Sequence, residues 1–300
     1  MKQKTQGRLR KNGIRKGIIA WAFLMPAVIL YFLSKYVPTF MGIFISFFKL
    51  DVVELPGEFV KFDNYIRAFN DPNFYNSLVN VLEFFLLGLV MTFWCPIILA
   101  ILINEVKKGR TVFRLFYFIP AVTPGLATTV LWKYIWQPDY GLANWFVGLF
   151  GIPPQMWLND PSLVKFCMTL PGLLVCGGMN MVIYLLALQN VSSDYYEAAM
   201  LEGAGIIKRI RHITIPAIMP IIKTMFLLGM IESFNQLDGP LIMTGGGPMR
   251  STETIVLYSY NQATYNMDYS YAISISNIVF GIVFILTAIQ TIMNSRKERE

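Results

Sequence analysis

Residues 77–104 read Ser-Leu-Val-Asn-Val-Leu-Glu-Phe-Phe-Leu-Leu-Gly-Leu-Val-Met-Thr-Phe-Trp-Cys-Pro-Ile-Ile-Leu-Ala-Ile-Leu-Ile-Asn, with Glu83 as the single charge. About 20 consecutive apolar residues suffice to cross a bilayer as a helix. A soluble core helix of this length would show a polar face, and this run shows none. The stretch therefore reads as a transmembrane helix and decides the fold class. Five further runs flank it, at 18–48, 112–136, 163–189, 216–237 and 270–293. The first is too long for a secretory signal, and Pro26 and Pro38 are expected to kink it. Composition agrees. Mean hydropathy is +0.51 and charged residues are 14%, against about 25% in a typical soluble domain. The expectation is an all-α polytopic membrane protein with six transmembrane helices.

Charge orients the spans. The tail before the first span carries Lys2, Lys4, Arg8, Arg10, Lys11, Arg15 and Lys16. Alternate loops add Lys107, Lys108, Arg110 and Arg114, then Lys208, Arg209 and Arg211, and the last tail adds Arg296, Lys297 and Arg299. The opposite loops hold only Lys49, Lys61, Arg67 and Arg250. The positive-inside rule places the basic side, with both termini, in the cytoplasm. Trp21, Trp132, Trp136, Trp145 and Trp157 fall near span ends or in outer loops, where amphipathic rings favour the interface. Glu83 and Lys165 sit near span ends, where snorkelling accounts for them.

The net charge of +7 does not indicate nucleic acid, because the basic residues flank apolar segments and no nucleic-acid motif is present. Cys95, Cys167 and Cys176 lie in apolar segments and read as small packing residues. The single histidine, His212, has no partner at ligand spacing, so no metal site is expected.

Residues 196–205 read Tyr-Glu-Ala-Ala-Met-Leu-Glu-Gly-Ala-Gly. Asp194 can cap a helix over 195–202, and Gly203 and Gly205 can end or turn it. Residues 206–213 offer a second short helix, and Pro216 can open the next span, where its missing N–H is harmless. The result is a compact helix–turn–helix on the cytoplasmic face. Ala198, Ala199, Gly203 and Ala204 let another surface approach closely, and a short exposed helix suits docking into a groove.

This loop resembles the EAA motif of binding-protein-dependent ABC importer permeases. The pattern is Glu197-Ala198-Ala199, three residues, Gly203, then nine residues to Ile213-x-Ile215-Pro216. Glu202 and Ile210 depart mildly from the usual Asp and aromatic residue. Further segments are similar to the carbohydrate-type permeases: 62–65, 71–74, 140–144 and 184–190. Residues 244–252, Thr-Gly-Gly-Gly-Pro-Met-Arg-Ser-Thr, resemble the MalF-like half of such transporters. The resemblance implies an ABC type I importer (MetI-like) permease fold in the plasma membrane of a prokaryote. It implies a coupling role for Glu197, Ala198, Ala199, Gly203, Ala204, Gly205, Ile213 and Pro216. It also implies a second, MalG-like permease subunit, two ATP-binding subunits and an extracytoplasmic solute-binding protein. The chain itself has no G-x-x-x-x-G-K-[ST] phosphate loop, so ATP and Mg belong to partner subunits and no catalysis to this one.

Polar residues inside spans are costly and usually face a cavity or the bundle interior. Gly229, Glu232, Ser233 and Gln236 recur at helical spacing on one face, with Asn235 beside them. Gly172, Cys176, Met179 and Asn180 form a similar set on the fourth span, and Thr128, Thr129 and Trp132 lie on the third. Ser270, Ser274, Asn277 and Gly281 on the sixth read equally as solute contacts or as contacts between helices. Amides, hydroxyls and a carboxylate suit a hydroxyl-rich solute. The resemblance implies solute contact at Gly172, Val175, Cys176, Met179, Gly229, Ser233 and Gln236. The expected solute is a sugar or oligosaccharide, with a glycerol-phosphate-like compound as the alternative. An ion-coupled secondary transporter would show inverted repeats, and none is evident. The chain thus divides into a basic tail (1–17), a first helix with its outer loop (18–76), a permease core (77–293) with the EAA loop at 190–215, and a second tail (294–300).

Overall fold

The computed structural model describes residues 19–50, 57–106, 109–175 and 178–297. Helices α1 (Ile19–Ile45) and α2 (Asp63–Asn70) flank a two-residue antiparallel ribbon, β1 (Phe48–Lys49) with β2 (Glu58–Phe59). This ribbon departs from the all-α expectation. Then follow α3 (Pro72–Met91), α4 (Cys95–Glu105), α5 (Arg110–Val122), α6 (Gly125–Ile135) and α7 (Leu142–Gly148). Next come α8 (Val164–Thr169), α9 (Pro171–Val175), α10 (Met179–Gln189), α11 (Ser193–Leu201) and α12 (Ile206–Arg209). The chain ends with α13 (Ile215–Phe234), α14 (Ile255–Thr264) and α15 (Tyr269–Lys297).

Among the described residues, four helices are long and apolar enough to cross a membrane: Ile19–Ile45, Pro72–Glu105, Ile206–Phe234 and Tyr269–Met293. Val164–Val175 and Met179–Gln189, bent by 46°, make a fifth if taken as one span. The stretch expected as the third span is instead broken into α5 and α6. Pro124 disfavours helical backbone in the residue before it, and Thr123 is extended there (φ −69°, ψ 132°). A second break serves the site below. Pro96 has no N–H to donate back toward Thr92, so the helix loosens between α3 and α4. The Gly88 carbonyl there accepts from the Thr92 N–H, the Phe93 N–H and the Thr92 hydroxyl.

Three apolar clusters hold the bundle. One joins α4, α10 and α13 through Ile97, Ala100, Met181, Tyr184, Leu185 and Ile218. Another joins α2, α3, α14 and α15 through Ala68, Phe74, Val81, Ile255, Tyr271 and Ile275, with Phe234 from the end of α13. The third gathers Phe84, Trp136, Val164, Cys167 and Met168. Trp136 is thus buried, and Trp157 donates its Nε1–H to Asn144 Oδ1 (2.7 Å). Trp157 is half-buried, and both rings pack against the third cluster. Cys167 is a free buried thiol as expected, whereas Cys95 is disulfide-bonded.

A polar network locks the α14 end. Asp71 caps α3, accepting from the Asn73 N–H (2.9 Å). Its other oxygen accepts from the hydroxyls of Tyr258 and Tyr271. Arg67 lies 3.9 Å from the Tyr271 ring centre and pairs with Asp268 at 2.6 Å. Glu83 and Lys165 are not independent snorkelling groups. They pair with each other, and Lys165 also donates to Asn80 Oδ1 (2.7 Å), tying α3 to α8.

Burial opposes ionisation of Asp71. Hydrogen bonds from Tyr258, Tyr271 and the Asn73 N–H, with the charge of Arg67, outweigh it and hold the carboxyl below the usual aspartate range. A depressed folded pKa contributes stability that is present above the ordinary aspartate value of 3.8. That stability is lost as pH falls through the depressed value. Asp71→Asn leaves two buried hydroxyls on a weaker acceptor, at a cost of about 1–3 kcal/mol. The expected result at pH 7 is a thermal midpoint lowered by roughly 2–10 °C in detergent. An unchanged midpoint by scanning fluorimetry would remove Asp71 from the network's stabilising groups.

Candidate functional site

A cavity of about 950 Å³ opens between α3–α4, α8–α10 and α13. α13 supplies the predicted stripe. Gly229, Glu232 and Ser233 line the cavity, joined by Asn235, Gln236 and Asp238 just beyond the helix end. Gly172, Val175, Met179 and Asn180 line it from α9 and α10. Nine residues expected to face solute, Gly172, Val175, Met179, Asn180, Gly229, Glu232, Ser233, Asn235 and Gln236, therefore meet in one space. The loosened turn between α3 and α4 contributes Gly88, Thr92 and Phe93, which form no polar stripe in the sequence. Gly172 permits this closeness, because a Cβ there would sit 2.9 Å from the Thr92 Cγ2.

The side chains divide into those already satisfied and those left free. Ser233 donates its hydroxyl to the Gly229 carbonyl (2.9 Å), and Asn235 donates its amide to the Ile231 carbonyl (3.0 Å). The side chains of Glu232, Gln236, Asn180 and Asp238 have no hydrogen-bond or ion-pair partner among the described residues. Tyr184 also lines the cavity. It is 1% exposed, and its buried hydroxyl has no partner among the described residues. Buried polar groups are normally hydrogen-bonded, so each exception needs a reason. Apolar surface faces these groups. Phe226 meets Phe85 and Phe93 edge-to-face, with ring centres 5.5 and 6.0 Å apart. Free acceptors and donors beside ring faces can hold a molecule that is hydroxylated at its edge and apolar on its face.

Thr128 and Trp132 do not line this cavity. The Thr128 hydroxyl turns back to the Pro124 carbonyl (3.3 Å), and Trp132 stacks on Trp136 at 5.9 Å. α6 is tied instead to the segment 240–244, where Lys133 donates to the Ile242 carbonyl (2.7 Å). Cys176 lies outside the described residues. On the last helix, Ser270 accepts from the Leu50 N–H (2.8 Å), Ser274 donates to the Ser270 carbonyl (2.8 Å) and Asn277 bonds to Tyr65. Those residues join helices and line no part of the cavity.

The loop over 190–215 forms α11, a glycine turn and α12. Ser192, rather than Asp194, caps α11, its hydroxyl accepting from the Asp194 N–H (3.3 Å). Asp194 instead lies in the first turn, where a negative charge favours the helix N-terminus. Gly203 ends the helix at φ +77°, the left-handed conformation that glycine adopts without strain. Gly205 has an ordinary φ of −66°. α12 then continues through a π-turn (Ile210–Thr214, containing Ile213) straight into α13, with Pro216 in its first turn. The expected separate helices are therefore one continuous rod, Ile206–Phe234. Tyr196 and Thr214 hydroxyls meet at 3.2 Å and lock α11 to that rod. Glu197 and Ala198 are exposed, Ala199 and Ala204 half-buried. Tyr195, Met200, Leu201, Ile206 and Ile207 leave large apolar side chains uncovered beside them. The rod that carries this surface also carries Gly229, Glu232 and Ser233.

Comparison with known proteins bears on both features. The lactose transport system permease protein LacF of Rhizobium radiobacter is 30% identical over 276 residues, covering 90% of this chain and 92% of LacF. The trehalose/maltose transport system permease protein MalF of Thermococcus litoralis is 27% identical over 277 residues, covering 92% and 93%. The fold matches a crystal structure of a bacterial ABC transporter involved in the import of the acidic polysaccharide alginate, with a TM-score of 0.85. Identity to it is 22%, over 96% of this chain and 99% of that one. Residues 85–299 match the family described as "Binding-protein-dependent transport system inner membrane component". With most of its length inside that match, the chain belongs to the family of inner membrane components of binding-protein-dependent transport systems.

Proposed function

We propose that this chain is one permease half of an ATP-driven importer for a sugar or oligosaccharide, handed over by an extracytoplasmic solute-binding protein. The observation that carries this reading is the cavity, where unpartnered amides and carboxylates face a corner of three phenylalanine rings. Sugars present hydroxyl edges and apolar faces, and this lining complements both. The sugar permeases LacF and MalF, aligned over nine-tenths of the chain, support the same solute class.

The chain is read as six spans, with α5 and α6 together supplying the third, and with both termini in the cytoplasm by the positive-inside rule. α11 then faces the compartment that holds ATP. Its exposed apolar side chains beside Glu197 fit a groove on an ATP-binding subunit. Two such subunits, with ATP and Mg, and a second MalG-like permease complete the assembly. Closure of the ATP-binding subunits pushes on α11 and α12. The continuous rod carries that movement to Gly229, Glu232 and Ser233, so that the cavity opens to one side and then the other.

The test is reconstitution. Purified from membranes, the chain is expected to bring down a second permease and an ATPase. Proteoliposomes of that complex, with the solute-binding protein added, should accumulate a sugar only when ATP is supplied. Accumulation by the chain alone, or driven by an ion gradient without ATP, would overturn the reading.

A further inference from the structure

The cavity carries two carboxylates, Glu232 and Asp238, and no lysine or arginine among the described residues that line it. Neighbouring cations are committed elsewhere. Lys165 is held by Glu83 and Asn80, Lys133 donates to the Ile242 carbonyl (2.7 Å), and Arg250 faces Glu253. The lining itself therefore offers no cation to neutralise an anionic solute, and Lys223, nearer the start of α13, lies outside that lining. The free Asn180 and Gln236 amides leave the lining with hydrogen-bonding groups for its occupant. A hydroxyl or ammonium group donates to a carboxylate in a charge-assisted bond. A second carboxylate, phosphate or sulfonate is repelled by it.

We propose that this cavity admits neutral and amino-bearing saccharides and rejects acidic ones, with Glu232 as the residue that sets the charge selection. The proposal rests on the sugar-import reading and narrows it, separating this chain from the alginate importer that shares its fold. It also excludes a glycerol-phosphate-like solute. Glu232 is the stronger determinant because it sits on α13 between Gly229, which leaves open space, and Gln236, whose amide is free. Asp238 lies just beyond the helix end and reinforces the same field.

The experiment measures binding to the assembled permease–ATPase complex in nanodiscs, without the solute-binding protein, so that only the cavity selects. The probes are glucosyl, galactosyl and mannosyl disaccharides, each in matched neutral, 2-amino and 6-carboxylate forms. For each sugar that binds, the neutral and amino forms are expected to bind at least about tenfold more tightly than the carboxylate. Glu232→Gln should bring the carboxylate within about threefold of the neutral form. Asp238→Asn, outside the helix, serves if the first variant fails to assemble, and should narrow the gap in the same direction. Equal or tighter binding of the carboxylate by the unaltered complex overturns the charge filter and leaves sugar import standing. So does an unchanged ratio in an assembled variant. Binding of none of the nine probes overturns the sugar reading itself.

Discussion

Gly203→Asp is expected to abolish solute uptake while the chain remains inserted in the membrane and assembled with its partners. Gly203 sits at φ +77°, and a Cβ there would meet nothing within 4 Å. The requirement for glycine is thus conformational and not one of space. Left-handed backbone costs a side-chain-bearing L-residue about 1–2 kcal/mol. That sum is too small to unfold the bundle, but it is large for a turn that aims α11. The turn fixes the angle between α11 and the rod Ile206–Phe234, with the Tyr196–Thr214 contact as a further restraint. The aspartate also adds charge beside the uncovered Met200, Leu201, Ile206 and Ile207. A charge at the centre of a docking surface opposes burial. Gly205→Ala is the control, since φ is ordinary there and the Cβ would also be free. Uptake of labelled solute should vanish in the first variant and persist in the second, with equal protein in the membrane fraction. Normal uptake by Gly203→Asp would end the coupling reading of this loop.

What could be read from the sequence depended on whether one local rule dominated. The run at 77–104 and those at 216–237 and 270–293 were legible because apolar length alone decides them, and each falls on a helix of sufficient length. The third span was not. Its apolar content is adequate, but the Thr123–Pro124 backbone overrides it. The stripe Gly229, Glu232, Ser233 and Gln236 was legible because polar residues inside a span are costly enough to need a purpose. Thr128 gave a similar signal without lining the cavity, because a threonine can satisfy itself on the carbonyl four residues back. Phe85, Phe93 and Phe226 gave no signal at all, since aromatic rings are ordinary in any span. Thr92 carried one: a hydroxyl followed four residues later by a proline marks a loosened helix, and such breaks in membrane helices border cavities. The Glu83–Lys165 pair was invisible because its members are 82 residues apart, and only the fold brings them together.

The same break makes Gly172 the most sensitive position in the cavity wall. Its Cβ would stand 2.9 Å from Thr92 Cγ2 and 3.6 Å from Thr92 Cβ. Gly172→Ala must therefore displace one methyl group, a strain of about 1–3 kcal/mol if the wall resists. A reduction of uptake of several-fold is expected. Gly172→Leu adds three further carbons that cannot enter the wall and must extend into the cavity. Uptake should fall by about tenfold or more, with assembly intact, because the branched chain occupies space between the wall and the stripe on α13. Thr92→Ser removes only the methyl group that the alanine strikes, and keeps the hydroxyl bonded to the Gly88 carbonyl. Combined with Gly172→Ala it should restore uptake to near the unaltered level. Combined with Gly172→Leu it should not, because leucine's obstruction lies beyond Thr92. If the serine rescues neither, the closeness of α9 to the α3–α4 break is incidental. If Gly172→Leu transports normally, the solute takes a path that this cavity does not include.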